Sequence, residues 1–128
     1  MRILGIDYGK RKIGLAMSSE GKLATPLSVL KVSSDNEAVE KIRQILKSKN
    51  ITRLVLGISE GKMAEETKDF ARKLEENLGV KIVFYDETLT TKDAQKMSIE
   101  AGIKRKKRKD MEDAYSATLI LQGYIDSL

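Results

Sequence analysis

Apolar residues in this chain fall into short runs near its start and into three- and four-residue spacings further on. Arg2-Ile-Leu-Gly-Ile-Asp7 is an apolar run closed by Tyr-Gly-Lys. A second strand-like run, Lys12 to Ser18, follows the short turn around Gly9, so the two predict a β-hairpin. A third extended stretch, Leu23 to Val32, carries the only proline, Pro26, which cannot donate to a ladder and suits an edge strand. Ser34-Asp-Asn-Glu37 then has the spacing of a capping box, and Val39, Ile42, Ile45 and Leu46 recur at helical intervals to about Lys49. Arg53-Leu-Val-Leu-Gly-Ile58 reads as a buried parallel strand. Met63, Thr67, Phe70, Ala71, Leu74 and Leu78 form one face of a second helix, with Gly79 where a C-terminal cap belongs. Val80 to Tyr85 is a further strand, ended by Asp86-Glu87. A short helix from about Thr91 to Glu100 and a last one from roughly Asp110 to Ile125 complete the pattern.

The order β-β-β-α-β-α-β-α-α predicts an α/β domain in which an antiparallel meander feeds right-handed βαβ crossovers. The result is a five-stranded mixed sheet with helices on its faces, and with the first, fourth and fifth strands parallel at its centre. No repeat and no linker divides residues 1–128, a length that buries a real core within a single domain. In such sheets ligands collect at the carboxyl ends of the parallel strands.

Composition narrows the chemistry. The chain has no Cys and no His, which removes disulfides, thiol nucleophiles, thiolate zinc sites and the commonest general base. What remains is oxygen-based chemistry, and the hard cations that carboxylates and water suit, Mg²⁺ or Mn²⁺. Hydrophobic residues make up 41% of the chain, yet none of the apolar runs approaches the length of a membrane span. The first residues lead straight into a strand without a secretory signal's apolar region, so a cytoplasmic protein that does not engage a membrane is expected. Lys and Arg outnumber Asp and Glu by 24 to 19, and the excess is concentrated in one unbroken run, Lys104-Arg105-Lys106-Lys107-Arg108-Lys109. Such a run is either a solvated loop or a polyanion contact, and its place just ahead of Asp113 favours contact. Lys10, Arg11 and Lys12, beside Asp7, are likewise placed to touch backbone phosphates. Aromatic residues are only 5%, so recognition leans on backbone and shape rather than on base stacking.

Asp7 ends the first strand and Glu87 follows the last, both at the sheet edge where ligands collect. Asp113 lies in the first turn of the last helix, on the stripe of Ala117, Ile120 and Tyr124, and Asp110 one turn earlier competes for the same role. Each acid alone reads equally well as a turn former, a surface charge or a complement to a helix N-terminus. Together they repel one another unless a cation neutralises them, which favours a metal site.

Three segments carry a family resemblance: Gly5-Ile-Asp-Tyr-Gly-Lys-Arg-Lys-Ile-Gly-Leu-Ala16, Asp86-Glu-Thr-Leu-Thr-Thr91 and Asp113-Ala-Tyr-Ser-Ala-Thr-Leu-Ile-Leu-Gln122. Together they resemble the YqgF family over essentially the whole chain. That resemblance implies a RuvC-like, ribonuclease-H-like fold, with the five strands in the order 3-2-1-4-5. It also implies nuclease activity on pre-16S rRNA or on Holliday junctions, and a catalytic, metal-binding triad of Asp7, Glu87 and Asp113 in place of Asp110. Thr88 stands where the family usually has Arg, Ser19 where it often has Asp, and the loop Ile58-Ser-Glu-Gly-Lys62 lacks the usual Leu-Pro.

The expectation is therefore a Mg²⁺- or Mn²⁺-dependent endonuclease, in which two cations clamp an in-line displacement and no protein base is needed. Processing of the 5′ end of pre-16S rRNA in ribosome biogenesis leads. Resolution of branched DNA follows, and would call for a homodimer because it needs two active sites. A non-catalytic module that binds structured nucleic acid is the rival from another class. Phosphate transfer, suggested by the likeness of Gly5 to Gly9 to the first phosphate loop of actin-like and sugar kinases, needs two such lobes, and this chain supplies one.

Overall fold

The computed structural model describes residues 1–58, 62–86 and 110–128, with residues 62 and 63 as backbone only. Within them the strands β1 (Ile3–Asp7), β2 (Lys12–Ser18), β3 (Thr25–Lys31), β4 (Arg53–Ile58) and β5 (Lys81–Asp86) form one sheet in the order β3-β2-β1-β4-β5. β1 pairs antiparallel with β2 and β2 with β3, while β1, β4 and β5 run parallel. The hairpin, the meander and the crossovers expected from the pattern are all present. β5 is the outer strand, as the order 3-2-1-4-5 implied by the family resemblance has it, rather than at the centre, where the crossover pattern alone put it. Its side chains are exposed or half-buried, Phe84 being 41% exposed, and among the described residues no further strand pairs with its outer side. The expected helix over Thr91–Glu100 lies outside the described residues.

Helices α1 (Asp35–Lys49) and α2 (Lys62–Leu78) cover one face of the sheet, and α3 (Glu112–Asp126) covers the other. The alternation of β1 sorts its side chains accordingly. Leu4 and Ile6 enter a core with Ala38, Val39, Ile42, Phe70 and Leu74, whereas Ile3 packs with Ala117, Ile120 and Leu121 of α3. α1 begins at Ser34, whose hydroxyl accepts from the Glu37 amide at 3.2 Å, and the Glu37 carboxylate reaches back to the Ser33 amide at 2.8 Å. That bond, with help from Lys41 and against a small cost of desolvation, holds the Glu37 carboxyl below the usual carboxylate range. α1 ends at Asn50 in the left-handed region, φ 54°, and Gly79 takes the same region after α2, φ 63°. None of the described helices is long and apolar enough to cross a membrane.

β3 lies at the other edge, as its proline requires. Its register against β2 slips by one residue: Ala16 faces Pro26, but Leu15 faces Ser28, so Leu27 is an extra residue on β3. The loop before β3 is tied to α3 by Gln122, whose amide accepts from the Ala24 N–H at 2.9 Å and donates to the Lys22 carbonyl at 3.1 Å.

Phe70 is the largest fully buried side chain and stacks on Tyr8 with ring centroids 4.4 Å apart. Phe70→Ala therefore removes both the centre of the α1–α2 core and the support of the turn after β1. Urea unfolding is expected to show a loss of about 3–5 kcal/mol.

Candidate active site at the carboxyl end of β1

The site grows from two positions in register. Asp7 is the last residue of β1 and pairs with Gly14 of β2. Gly14 is where α3 lands: a Cβ added there would lie 1.9 Å from the Asp113 carbonyl oxygen and 2.9 Å from the Ala114 nitrogen. The first turn of α3 thus rests directly on the strand beside Asp7. Strand alternation sends Asp7 to the same side as Gly5, over which α3 also passes, with the Cβ of Leu121 only 2.7 Å from a Cβ built on Gly5. Asp7 and the first turn of α3, which carries Asp113, therefore meet at the carboxyl edge of the sheet, on the face that α3 covers.

Both carboxylates are half-buried. Burial pushes the Asp113 carboxyl above its ordinary value; Lys12 pulls it down and Glu112 pushes it further up. Burial thus outweighs the pull of Lys12, and added positive charge at the site would relieve it. Met111, at the N-cap of α3, contributes no capping side chain, so Glu112 and Asp113 supply the negative charge that complements this helix end.

The other face of the turn is held as firmly. The Tyr8 hydroxyl donates to Asp35 Oδ1 at 2.7 Å, and Lys73 Nζ donates to Asp35 Oδ2 at 3.1 Å. Burial first, then Asp35, raises the Tyr8 phenol well above its usual range, so it remains a proton donor. Lys10 reaches Glu66 of α2 at 3.0 Å. The residue next to Asp7 is thereby anchored to both helices of the far face. Sequence reading saw in Tyr8 only a neighbour of a turn glycine. A lone polar tip among apolar helix positions was the available signal, but it does not say which acid it meets.

Of the expected basic contacts, Lys12 shares the parity of Gly14 and stands on the Asp113 side, whereas Lys10 is drawn toward α2. Arg11 belongs to the turn and its carbonyl accepts from the Val32 amide at 2.9 Å. Glu87, Thr88 and the run Lys104–Lys109 lie outside the described residues. Asp86, one residue before Glu87, ends β5 in register with Ile58, at the same edge as Asp7. Among the described residues, the structure does not bring three acidic side chains together in a metal-binding group.

A sheet of this order, with α3 laid across the end of β1 and an acid on each, defines a ribonuclease-H-like domain. Solved structures with that fold include the RuvC of Thermus thermophilus in complex with a Holliday junction substrate, at TM-score 0.65 and 17% identity, covering 99% of this chain and 97% of that one. The resolvase of fowlpox virus with Holliday junction DNA superposes at TM-score 0.64 and 15% identity, covering 99% and 98%. The chain belongs to the RuvX family, described as Holliday junction resolvase, whose model matches residues 1–127. Membership places it among the enzymes that hydrolyse phosphodiesters. Its relatives include proteins named "Putative pre-16S rRNA nuclease" from Carboxydothermus hydrogenoformans, 41% identical over 98% of this chain and 96% of that protein, and from Leuconostoc mesenteroides, 39% identical over 99% and 96%. The Bacillus subtilis relative, of the same name, is 37% identical over 100% and 99%.

Proposed function

We propose that this protein is a divalent-metal-dependent endonuclease that processes the 5′ end of pre-16S rRNA, with Asp7, Glu87 and Asp113 as its carboxylates. The observation that carries the reading is the seating of Asp113 on Gly14, the register partner of Asp7. Two half-buried carboxylates at one edge and on one face of the sheet, one of them raised by burial, would form a donor set suited to a hard cation. Held there, Mg²⁺ or Mn²⁺ supplies Lewis acidity to the scissile phosphodiester and lowers the pKa of water. The chain itself contributes position. β1 fixes Asp7, the Tyr8–Asp35 bond fixes the turn behind it, and the contact with Gly14 sets the height of Asp113 above the sheet. Lys12, with Lys10, Arg11 and Lys104–Lys109, would neutralise backbone phosphates. The pre-16S assignment is supported by the names of relatives that match this chain over nearly its whole length.

Junction resolution is the second reading, favoured by the family description and by likeness to resolvases solved with junction DNA. One assay separates the readings: cleavage of end-labelled pre-16S fragments, unstructured RNA and four-way DNA junctions, with Mg²⁺ or Mn²⁺. Pre-16S fragments are expected to be cut, EDTA to abolish cutting, and excess metal to restore it. Preference for junctions, together with a dimer in light scattering, would move the assignment to DNA. Binding of all three substrates with cleavage of none would leave a non-catalytic binding module.

A further inference from the structure

Lys12 and Lys31 stand directly opposite each other where β2 begins and β3 ends, and both are exposed. Like charges facing each other across a ladder weaken a sheet. Among the described residues no carboxylate lies within salt-bridge distance of either ammonium. Both side chains leave the sheet on the α3 side, since Lys12 has the parity of Gly14 and Lys31 is its register partner. Lys12 is also the cation whose charge bears on Asp113. The backbone beneath Lys31 is held in place: Lys41 Nζ donates to the Lys31 carbonyl at 3.1 Å, and Glu37 meets the Lys41 charge at 3.4 Å. A row therefore starts at Asp113, passes Lys12 and reaches Lys31 one strand further out, about 4.8 Å away.

We propose that Lys12 and Lys31 together form a phosphate seat that leads the sugar–phosphate backbone of the substrate from the carboxylates outward over β2 and β3. The inference rests on reading the site as one that acts on nucleic acid, and it adds Lys31 and a direction. The β3 edge becomes the side on which the uncut length of the substrate lies. A phosphodiester between the two ammoniums supplies a direct ion-pair partner that neither lysine has among the described residues. Stability and binding therefore pull in opposite directions at position 31.

Anisotropy of a short fluorescein-labelled RNA, titrated in EDTA over a salt series, reads this without cleavage. Lys31→Gln is expected to weaken binding roughly three- to tenfold and to reduce the salt slope by about 0.7. Lys81→Gln, an exposed lysine at the opposite end of the sheet, is expected to leave the slope as it is. Lys31→Glu is expected to weaken binding further and to raise Tm by about 1–4 °C, as a cross-strand ion pair with Lys12 replaces the repulsion. An unchanged slope in Lys31→Gln, an equal change in Lys81→Gln, or wild-type binding by Lys31→Glu overturns the proposal. Because metal is absent, a protein that shows these shifts but never cuts RNA or DNA defeats the catalytic reading and keeps the seat. One that cuts normally with no change in slope does the reverse.

Discussion

Asp7→Asn is expected to reduce cleavage about a thousandfold while the protein stays folded and still binds its substrate. Asn matches Asp in size, and the position ends a strand whose ladder partners are unchanged, so β1 has no reason to shift. What is lost is one negative charge at the half-buried end of β1, on the face that α3 covers. The fold should tolerate the change, because the amide keeps the shape of the side chain and an oxygen that accepts hydrogen bonds. In the reaction it removes a carboxylate from the set that would hold the cation, and about 4 kcal/mol of lost stabilisation corresponds to that thousandfold change. Single-turnover cleavage with enzyme in excess measures it, alongside melting and anisotropy on the same preparation. Cutting within tenfold of wild type would remove Asp7 from the catalytic set.

Gly14→Val acts on the same site through the backbone. The atom that a side chain would strike at 1.9 Å is a main-chain carbonyl of α3, which cannot swing aside as a side-chain terminus can. The helix must lift at its first turn, and the contacts of Ala114 and Ala117 with the sheet open with it. The expected cost is about 3 kcal/mol in urea unfolding, at the upper end for overpacking. Molecules that remain folded should also cut poorly, since Asp113 rides on the displaced turn. Gly79→Val is the comparison: nothing lies within 4 Å of its added Cβ, so only its positive φ resists, and activity should be untouched. A Gly14 variant as stable and as active as wild type would mean that α3 stands further from β2.

The elements were legible because period-2 and period-3.6 patterns report burial, and burial organises this molecule. Asp7 could be placed from sequence, since a strand-ending acid before a glycine turn marks a sheet edge. Asp113 could be placed on a helix stripe, but its choice over Asp110 needed the family motif, because one turn of helix separates two positions on nearly the same face. The close approach of α3 was not legible: Gly14 inside a strand suggests only that something comes near, not what. β5 misled for a related reason. Ile-Val-Phe-Tyr reads as an interior strand, yet among the described residues β5 has a partner on one side only and Phe84 is exposed; which strands flank a segment leaves no trace in its own residues. Lys10 and Lys12, two apart in the chain, looked alike in sequence. They diverge because Glu66 draws one toward α2 while β2 holds the other beside Asp113.

Leu27, the unpaired extra residue of β3, works as a switch of address. Before it, Pro26 stands on the α3 side with Ala16; after it, the parity is reversed, so Leu30 faces the α1–α2 core and Lys31 faces outward beside Lys12. Were the same residues to alternate without the bulge, Leu30 would turn to the α3 side, Lys31 would point under α1, and the facing of Lys12 and Lys31 would be lost. Removing Leu27 itself would instead leave every pair from Ser28 to Lys31 as it is. The bulge is therefore where this edge absorbs one surplus residue, and the absorption keeps a charge on its own side of the sheet.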